Sequence, residues 1–370
     1  MKLLDIFISF CQLEIYSSIM LDSVLQQYGL TSVLEINTLK GGLINNTWKI
    51  ICSDKQYILQ RVNADIFSSP LNIASNIRNI GDYLHLHYPE YFFVSLIPTL
   101  IGEFVLFIPE SGYYRLFPFV ENSVTFSALE SAELAFQAAA QFGRFTKLLA
   151  NFPINELNVT LPNFHNLSLR YHQFEAALIN GNDKRLKTAE DSIRFILENK
   201  NIVTIYEDIL KNSNFKQRVT HHDTKINNVL FDKYNQGLCV IDLDTVMPGY
   251  FISDIGDMMR TYLSPVSEEE RDYSEIRIRE EYFKAILEGY LSEMKEELSD
   301  DELNYFVYAG KFIIYMQAIR FLTDYLLNDV YYGEEYPEHN LFRANNQIVL
   351  LQRLIEKEPL LEKLVLSSKY

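Results

Sequence analysis

Between Ser32 and Asn63 the chain alternates apolar and polar residues in three short runs, broken at Gly41-Gly42, Asn45-Asn46 and Ser53-Asp54. A period of two bounded by turn residues predicts β-strands. After Pro70 the period lengthens. Ile73, Ile77 and Ile80 recur at helical spacing before Pro89, which predicts one helix. Two further β-runs follow, "FVSLIPTL" at 93–100 and "EFVLFIPESGYYRLFPFV" at 103–120, the second folded at Glu110-Ser111-Gly112. Beyond Val120 the pattern turns helical. Leu134, Ala138, Phe142, Phe145 and Leu149 mark one face of a long helix, and helical spacing returns over 167–180, 186–199, 201–212, 267–296, 301–328 and 339–366. Residues 219–248 interrupt this series as an island of short β-runs.

The pattern predicts an α+β protein of two lobes. A small β-rich N-terminal lobe spans 1–117, a connector lies near Phe117 to Asn122, and a large, mostly helical C-terminal lobe spans 118–370. Length agrees, because 370 residues exceed what one core usually organises. Hydrophobic residues make up 48% of the chain, ample for packed interiors. The formal net charge of −16 argues against nucleic-acid binding, which calls for basic patches. Three cysteines, Cys11, Cys52 and Cys239, are too few and too scattered for a disulfide framework or a zinc site, and read as reduced thiols.

The first twenty residues are apolar but interrupted by Asp5 and Glu14, which predicts an amphipathic helix and not a leader. "FIIYMQAI" (Phe312 to Ile319) is the most apolar helical stretch. Lys311, Arg320 and Asp324 bracket it too closely for a membrane span. The expectation is a cytoplasmic protein without membrane or nucleic-acid partners, its oligomeric state unspecified.

The β-island carries the chemistry. "THHDTKINN" fits H-x-D-x-x-x-x-N with His221, Asp223 and Asn228, and "CVIDLD" ends a β-run at Asp242 and Asp244. Phosphoryl transfer from ATP needs a carboxylate beside the attacking hydroxyl and oxygen ligands for Mg²⁺, commonly an amide and one or two carboxylates. Asp223 suits the base, and Asn228 and Asp242 suit the metal. A carboxylate at the end of an apolar run is costly to bury unpaired, which makes a cation a natural partner for Asp242. Asp244 fits either a second metal carboxylate or an acceptor ligand. His221 reads as a structural residue holding the loop, and His222 receives no role.

These segments resemble the aminoglycoside phosphotransferase and choline kinase-like superfamily, which shares the protein-kinase fold. "THHDTKINNVLFD", "CVIDLDTVMPG", "LPNFHN" and "FLTDYLLNDVYYGEEYPEHNLFRANNQ" resemble its N-acetylhexosamine 1-kinase branch, and the likeness runs from about Gly41 to Gln347. It implies a protein-kinase-like fold and a sugar kinase acting on an anomeric hydroxyl with ATP and Mg²⁺. Choline, aminoglycoside or homoserine kinases and a non-catalytic nucleotide binder are the alternatives.

The resemblance also places a phosphate-covering turn at Gly41 and Gly42. It puts a phosphate-binding cation on "YILQRVN", where Arg61 is the only cation and Gln60 the alternative if the register shifts by one. Phe119 in the connector would lie against adenine. His222 stands where relatives often have Gly or Asn. The helix after Pro70 departs from the fold's habit, since it holds no glutamate to pair with the strand cation. Asp82 is its only acid, with Ser75 or Asn76 as possible substitutes. Acceptor recognition is expected from His165 within "PNFHN", from Arg260 after "DIGD", and from Arg320. Arg320 and Asp324 lie four apart, so they could instead simply pair with each other.

Overall fold

The structure, a computed structural model, describes residues 20–39 and 44–368. The chain divides into two compact units at Asn122/Ser123, five residues beyond the expected boundary. Strand pairing explains the offset. The last strand of the first unit ends at Pro118, and the Phe119 N–H still donates to the Gln56 carbonyl at 3.0 Å.

The first unit holds a helix over 20–27 (α1) and a five-stranded antiparallel sheet: β1 (Val33–Thr38), β2 (Asn46–Cys52), β3 (Gln56–Val62), β4 (Leu106–Ile108) and β5 (Gly112–Pro118), in the order β1-β2-β3-β5-β4. Leu21, Val24 and Leu25 of α1 pack on Ile50, Leu59 and Leu116, one residue from each of three strands. The helix after Pro70 is α2 (Pro70–His87), with proline in its first turn, where a missing N–H costs nothing. "FVSLIPTL" is not a strand: only Ile97 bridges to Leu116, and Pro98 cannot donate to a ladder. The fifth strand comes from the hairpin at Glu110 to Gly112, whose two arms pair as β4 and β5. The expected N-terminal helix over the first twenty residues and the Gly41-Gly42 turn lie outside the described residues, apart from the helical Met20.

The second unit is helical around two small hairpin-like pairs. Its helices are α3 (Ala132–Leu148), α4 (Leu167–Asn180), α5 (Asp183–Thr188), α6 (Glu190–Glu198), α7 (Asn201–Lys211), α8 (Phe251–Tyr262), α9 (Glu280–Met294), α10 (Asp300–Asn304), α11 (Phe306–Leu326) and α12 (His339–Ser367). Strands β6 (Arg218–Thr220) and β9 (Met247–Gly249) pair with each other, as do β7 (Val229–Phe231) and β8 (Gly237–Val240). Two expected helices change. The run 186–199 splits at Ala189, and 267–296 begins only at Glu280, because Glu268 and Glu269 ahead of it are drawn into ion pairs with Arg260 and Arg343.

Periodicity missed α8. Its residues Phe251 to Met259 are all buried, so no polar face produces a stripe. Among the described residues no helix is long and apolar enough to cross a membrane, and α11 is instead packed on α4, α8 and α12.

One buried ion pair anchors β6, the strand that delivers the motif. Arg218 binds both oxygens of Glu302 and the Glu297 carbonyl, with side chains 5% and 0% exposed. Glu302 simultaneously closes a capping box with Ser299 at the start of α10. Removing one partner strands a buried charge, so Glu302→Ala should destabilise the protein by about 3–5 kcal/mol in chemical denaturation. A change near the few tenths typical of an exposed pair would show that the site relaxes around Arg218.

Candidate active site

The motif loop leaves β6 at Thr220 and ends in a 3-10 turn at Ile226–Asn228, just before β7. A five-residue excursion cannot satisfy its own N–H groups, and α8 does it instead. Asp254 accepts from the His221 and His222 N–H groups at 3.1 and 2.7 Å, and Asp257 accepts from the Thr224 N–H at 2.8 Å. The Tyr262 hydroxyl donates to the Thr224 carbonyl at 2.7 Å. Gly256, between the two carboxylates, lets α8 approach α11: a Cβ there would lie 2.2 Å from the Ala309 carbonyl oxygen. Burial lifts the Asp254 carboxyl to about 7 against the pull of its two N–H donors.

The histidines are braces. His221 is fully buried and pairs its Nε2 with the Ile241 carbonyl at 3.0 Å. His222 has φ +68, a left-handed conformation that favours glycine or asparagine. Its Nδ1 lies 3.1 Å from the carbonyls of both Thr220 and Thr245, which holds the strained residue in place.

Asp223 emerges from this frame with three contacts. Asn228 Nδ2 donates to its carbonyl at 2.9 Å and to its carboxylate at 3.1 Å, and Lys225 Nζ lies 3.1 Å from its other oxygen. Burial alone would raise the Asp223 carboxyl, but Lys225 first, then His221 and Arg260, hold it below the ordinary range. It is therefore ionised and able to accept a proton. Lys225, raised in turn by Asp223 and Asp257 against its own desolvation, keeps its charge. Sequence reasoning passed over Lys225, although a cation two residues after an acid in a short loop was a legible signal.

The two metal candidates meet through the backbone. The Ile241 N–H donates to the Asn228 carbonyl at 2.8 Å, which brings the start of "DLD" beside the amide. Asp242 is exposed, so the burial cost expected to call for a cation there does not arise, and it is left-handed with φ +60, while Asp244 is buried. Among the described residues no three His, Cys, Asp or Glu side chains form a closed cage. The donor set, one amide and one or two carboxylates, suits Mg²⁺, which takes its remaining oxygens from substrate phosphates and water.

The acceptor candidates separate. Arg260 commits its guanidinium to Asp257 and Glu268, bracing α8 against the following loop. His165 stacks on Phe164 and meets His222 edge-on beside a cavity of about 230 Å³. Arg320 lines a different cavity of about 400 Å³ between α4, α11 and residues 331–332. It does not pair with Asp324, whose oxygens accept from the N–H groups of Tyr331 and Tyr332 and from Asn340.

Within the first unit, Arg61 is exposed and donates to Asn46 at 3.0 Å. Gln60 instead accepts two hydrogen bonds, at 3.0 and 2.8 Å, from buried Arg115 directly across on β5. Arg115 escaped the sequence reading because it sits on a strand expected to supply only packing. Asp82 pairs with Arg78 on the exposed side of α2, while Asn76 is fully buried. Lys49 lies 3.7 Å over the Phe119 ring.

A model described as the phosphotransferase enzyme family matches residues 35–296. Solved structures of similar fold include a microcompartment-associated aminopropanol kinase, 16% identical with TM-score 0.62, covering 93% of this chain and 98% of that one. An amicoumacin kinase in complex with AMP-PNP, Ca²⁺ and Ami is 15% identical with TM-score 0.61, over 90% and 93% of the two chains. The choline kinase LicA from Streptococcus pneumoniae is 13% identical with TM-score 0.53, over 91% and 99%. At these identities the likeness establishes the fold, a β-rich N-terminal unit followed by a helical one.

Burial pushes His222 down from 6.5 to about 4. A depressed histidine refuses a proton that the unfolded chain accepts, so its contribution is present above 6.5 and lost as pH falls toward 4. Asp254, raised by burial, acts with the opposite sign over the same range, so the test is a difference between variants. His222→Asn, which suits the left-handed backbone, should lose less stability than wild type between pH 6.5 and 4, by at most about 3 kcal/mol. Parallel pH profiles in denaturant titrations would remove His222 from the acid response.

Proposed function

Because the chain belongs to the phosphotransferase enzyme family, we propose that it transfers the γ-phosphate of ATP to a hydroxyl of a small acceptor, with Asp223 as the catalytic base. The observation that carries this reading is the Asp223 carboxylate held between Asn228 and Lys225. Asp223 orients the acceptor hydroxyl and takes its proton as the oxygen bonds to the γ-phosphorus. The bond from that phosphorus to the β–γ bridging oxygen breaks, and ADP leaves with the electron pair. Mg²⁺ would be held by Asn228 and Asp242, with Asp244 behind, and supplies charge neutralisation on the phosphates. Lys225 adds a fixed positive charge beside the base. A pure nucleotide binder has no use for this set, which counts against that alternative.

The acceptor is a sugar, a hexose or N-acetylhexosamine taken at its anomeric hydroxyl, seated in the cavity beside Arg320. Two features support it. The segment "FLTDYLLNDVYYGEEYPEHNLFRANNQ", which resembles the N-acetylhexosamine 1-kinase branch, lines this cavity through Thr323, Asp324, Leu327, Tyr331 and Tyr332, while "LPNFHN", of the same resemblance, lines the second cavity beside His222. The cavity wall also presents guanidinium groups from Arg170 and Arg320. Such a wall repels choline, an amino alcohol or an aminoglycoside, which carry positive charge.

The test is ADP release with ATP, Mg²⁺ and a panel of sugars. Asp223→Asn should lower turnover by ~10²–10⁴-fold while ATP binding and melting temperature hold. A variant retaining more than about a tenth of wild-type turnover would show that another group takes the proton.

A further inference from the structure

The cavity of about 400 Å³ between α4 and α11 is walled by two guanidinium groups and one carboxylate, Asp324. Arg170 and Arg320 both line it, one from each helix. Arg170 donates to neutral groups only, Gln173 Oε1 at 3.0 Å and the Asn163 carbonyl at 3.2 Å, and its buried Nε has no partner among the described residues. Arg320 donates to Gln317 Oε1 at 3.3 Å and otherwise faces the rings of Phe164, Tyr331 and Tyr332 at 5.5–5.9 Å. Neither guanidinium forms an ion pair with a described residue.

The carboxylate in the wall bonds neutral donors and forms no ion pair with either arginine. Asp324 sits one turn beyond Arg320, but its two oxygens accept from the Tyr331 and Tyr332 N–H groups at 2.7 and 2.8 Å and from Asn340 at 3.2 Å. The Thr323 hydroxyl, also in the cavity wall, is buried without a partner among the described residues. Burial, and next the field of Arg320, pulls the Arg170 guanidinium below its ordinary range. Two like charges lining one cavity, with an orphaned N–H and an orphaned hydroxyl in its wall, are stabilised by an anion in the space they share.

We infer that this cavity recognises an anionic group, a carboxylate or phosphate carried by the acceptor sugar, through Arg170, Arg320 and Thr323. This rests on the sugar-kinase reading and narrows it from neutral hexoses to acidic ones, of which a hexuronate is the simplest. Arginine suits the role because its planar fork meets carboxylate or phosphate oxygens in pairs.

Binding is measured by calorimetry on the full chain without nucleotide, so that it does not depend on turnover. Glucuronate and glucose 6-phosphate are compared with glucose and N-acetylglucosamine. The expected result is that one of the two anionic sugars binds about 10–100-fold tighter than glucose, the winner identifying carboxylate or phosphate. Arg170→Gln should collapse that ratio toward one, Arg170→Lys should restore part of it, and Thr323→Val, a nearly isosteric change, should reduce it without lowering the melting temperature. Raising salt should weaken the anionic sugars selectively.

Equal binding of anionic and neutral sugars, or an anion preference untouched by Arg170→Gln and Thr323→Val, overturns the inference. ADP release separates the two claims. Turnover of N-acetylglucosamine with no preference for either anion leaves the kinase standing and removes the anion site. Preferential anion binding that depends on Arg170, with no turnover of any sugar, does the reverse.

Discussion

A fully buried carboxylate that accepts two consecutive backbone N–H groups is the constraint on which the catalytic unit depends. Asp254 fixes His221 and His222, and Asp257, one helical turn on, fixes Thr224. An isolated buried carboxylate is expensive, and these N–H groups are what make it tolerable. The left-handed His222 is held both by its N–H bond to Asp254 and by its Nδ1 contacts to Thr220 and Thr245. The two costs offset each other only when α8 lies close to the loop, and Gly256 allows that approach by leaving room for the Ala309 carbonyl of α11.

From that frame the chemistry follows by short steps. Fixing His221 to Thr224 fixes Asp223 between them. Asn228 then bridges back to both the carbonyl and the carboxylate of Asp223, while its own carbonyl receives the Ile241 N–H and ties in the segment that leads from β8 to Asp242. Base and metal candidates thus share one hydrogen-bonded scaffold. Arg260 extends the scaffold outward, linking Asp257 to Glu268, which also binds Arg343 of α12. A residue expected at the acceptor is therefore part of the support.

Much of this was legible in the residues, and for stated reasons. H-x-D-x-x-x-x-N and "DLD" single out a candidate base and candidate ligands because few other chemistries need an acid, an amide and a further acid so arranged. The strand-to-helix change near Val120 separated the two units because periods of two and of 3.6 cannot be confused over long runs. What stayed hidden was hidden by burial or by cross-strand register. Helix α8 has no polar face to reveal it, although its "DIGD" organises the loop. Arg115 matters only because pairing sets it across from Gln60, while Arg61 lies exposed and bonded to Asn46. The spacing of Arg320 and Asp324 invited a helical ion pair that the 331–332 backbone pre-empts.

Amide hydrogen exchange reads whether Asp254 holds the motif loop in its working shape. The His221 and His222 amides are expected to exchange as slowly as those in the middle of α11. In Asp254→Ala their protection should fall by on the order of 10²-fold or more while α11 is unchanged. Fast exchange at those two amides in the wild type, or protection that survives the substitution, would contradict it.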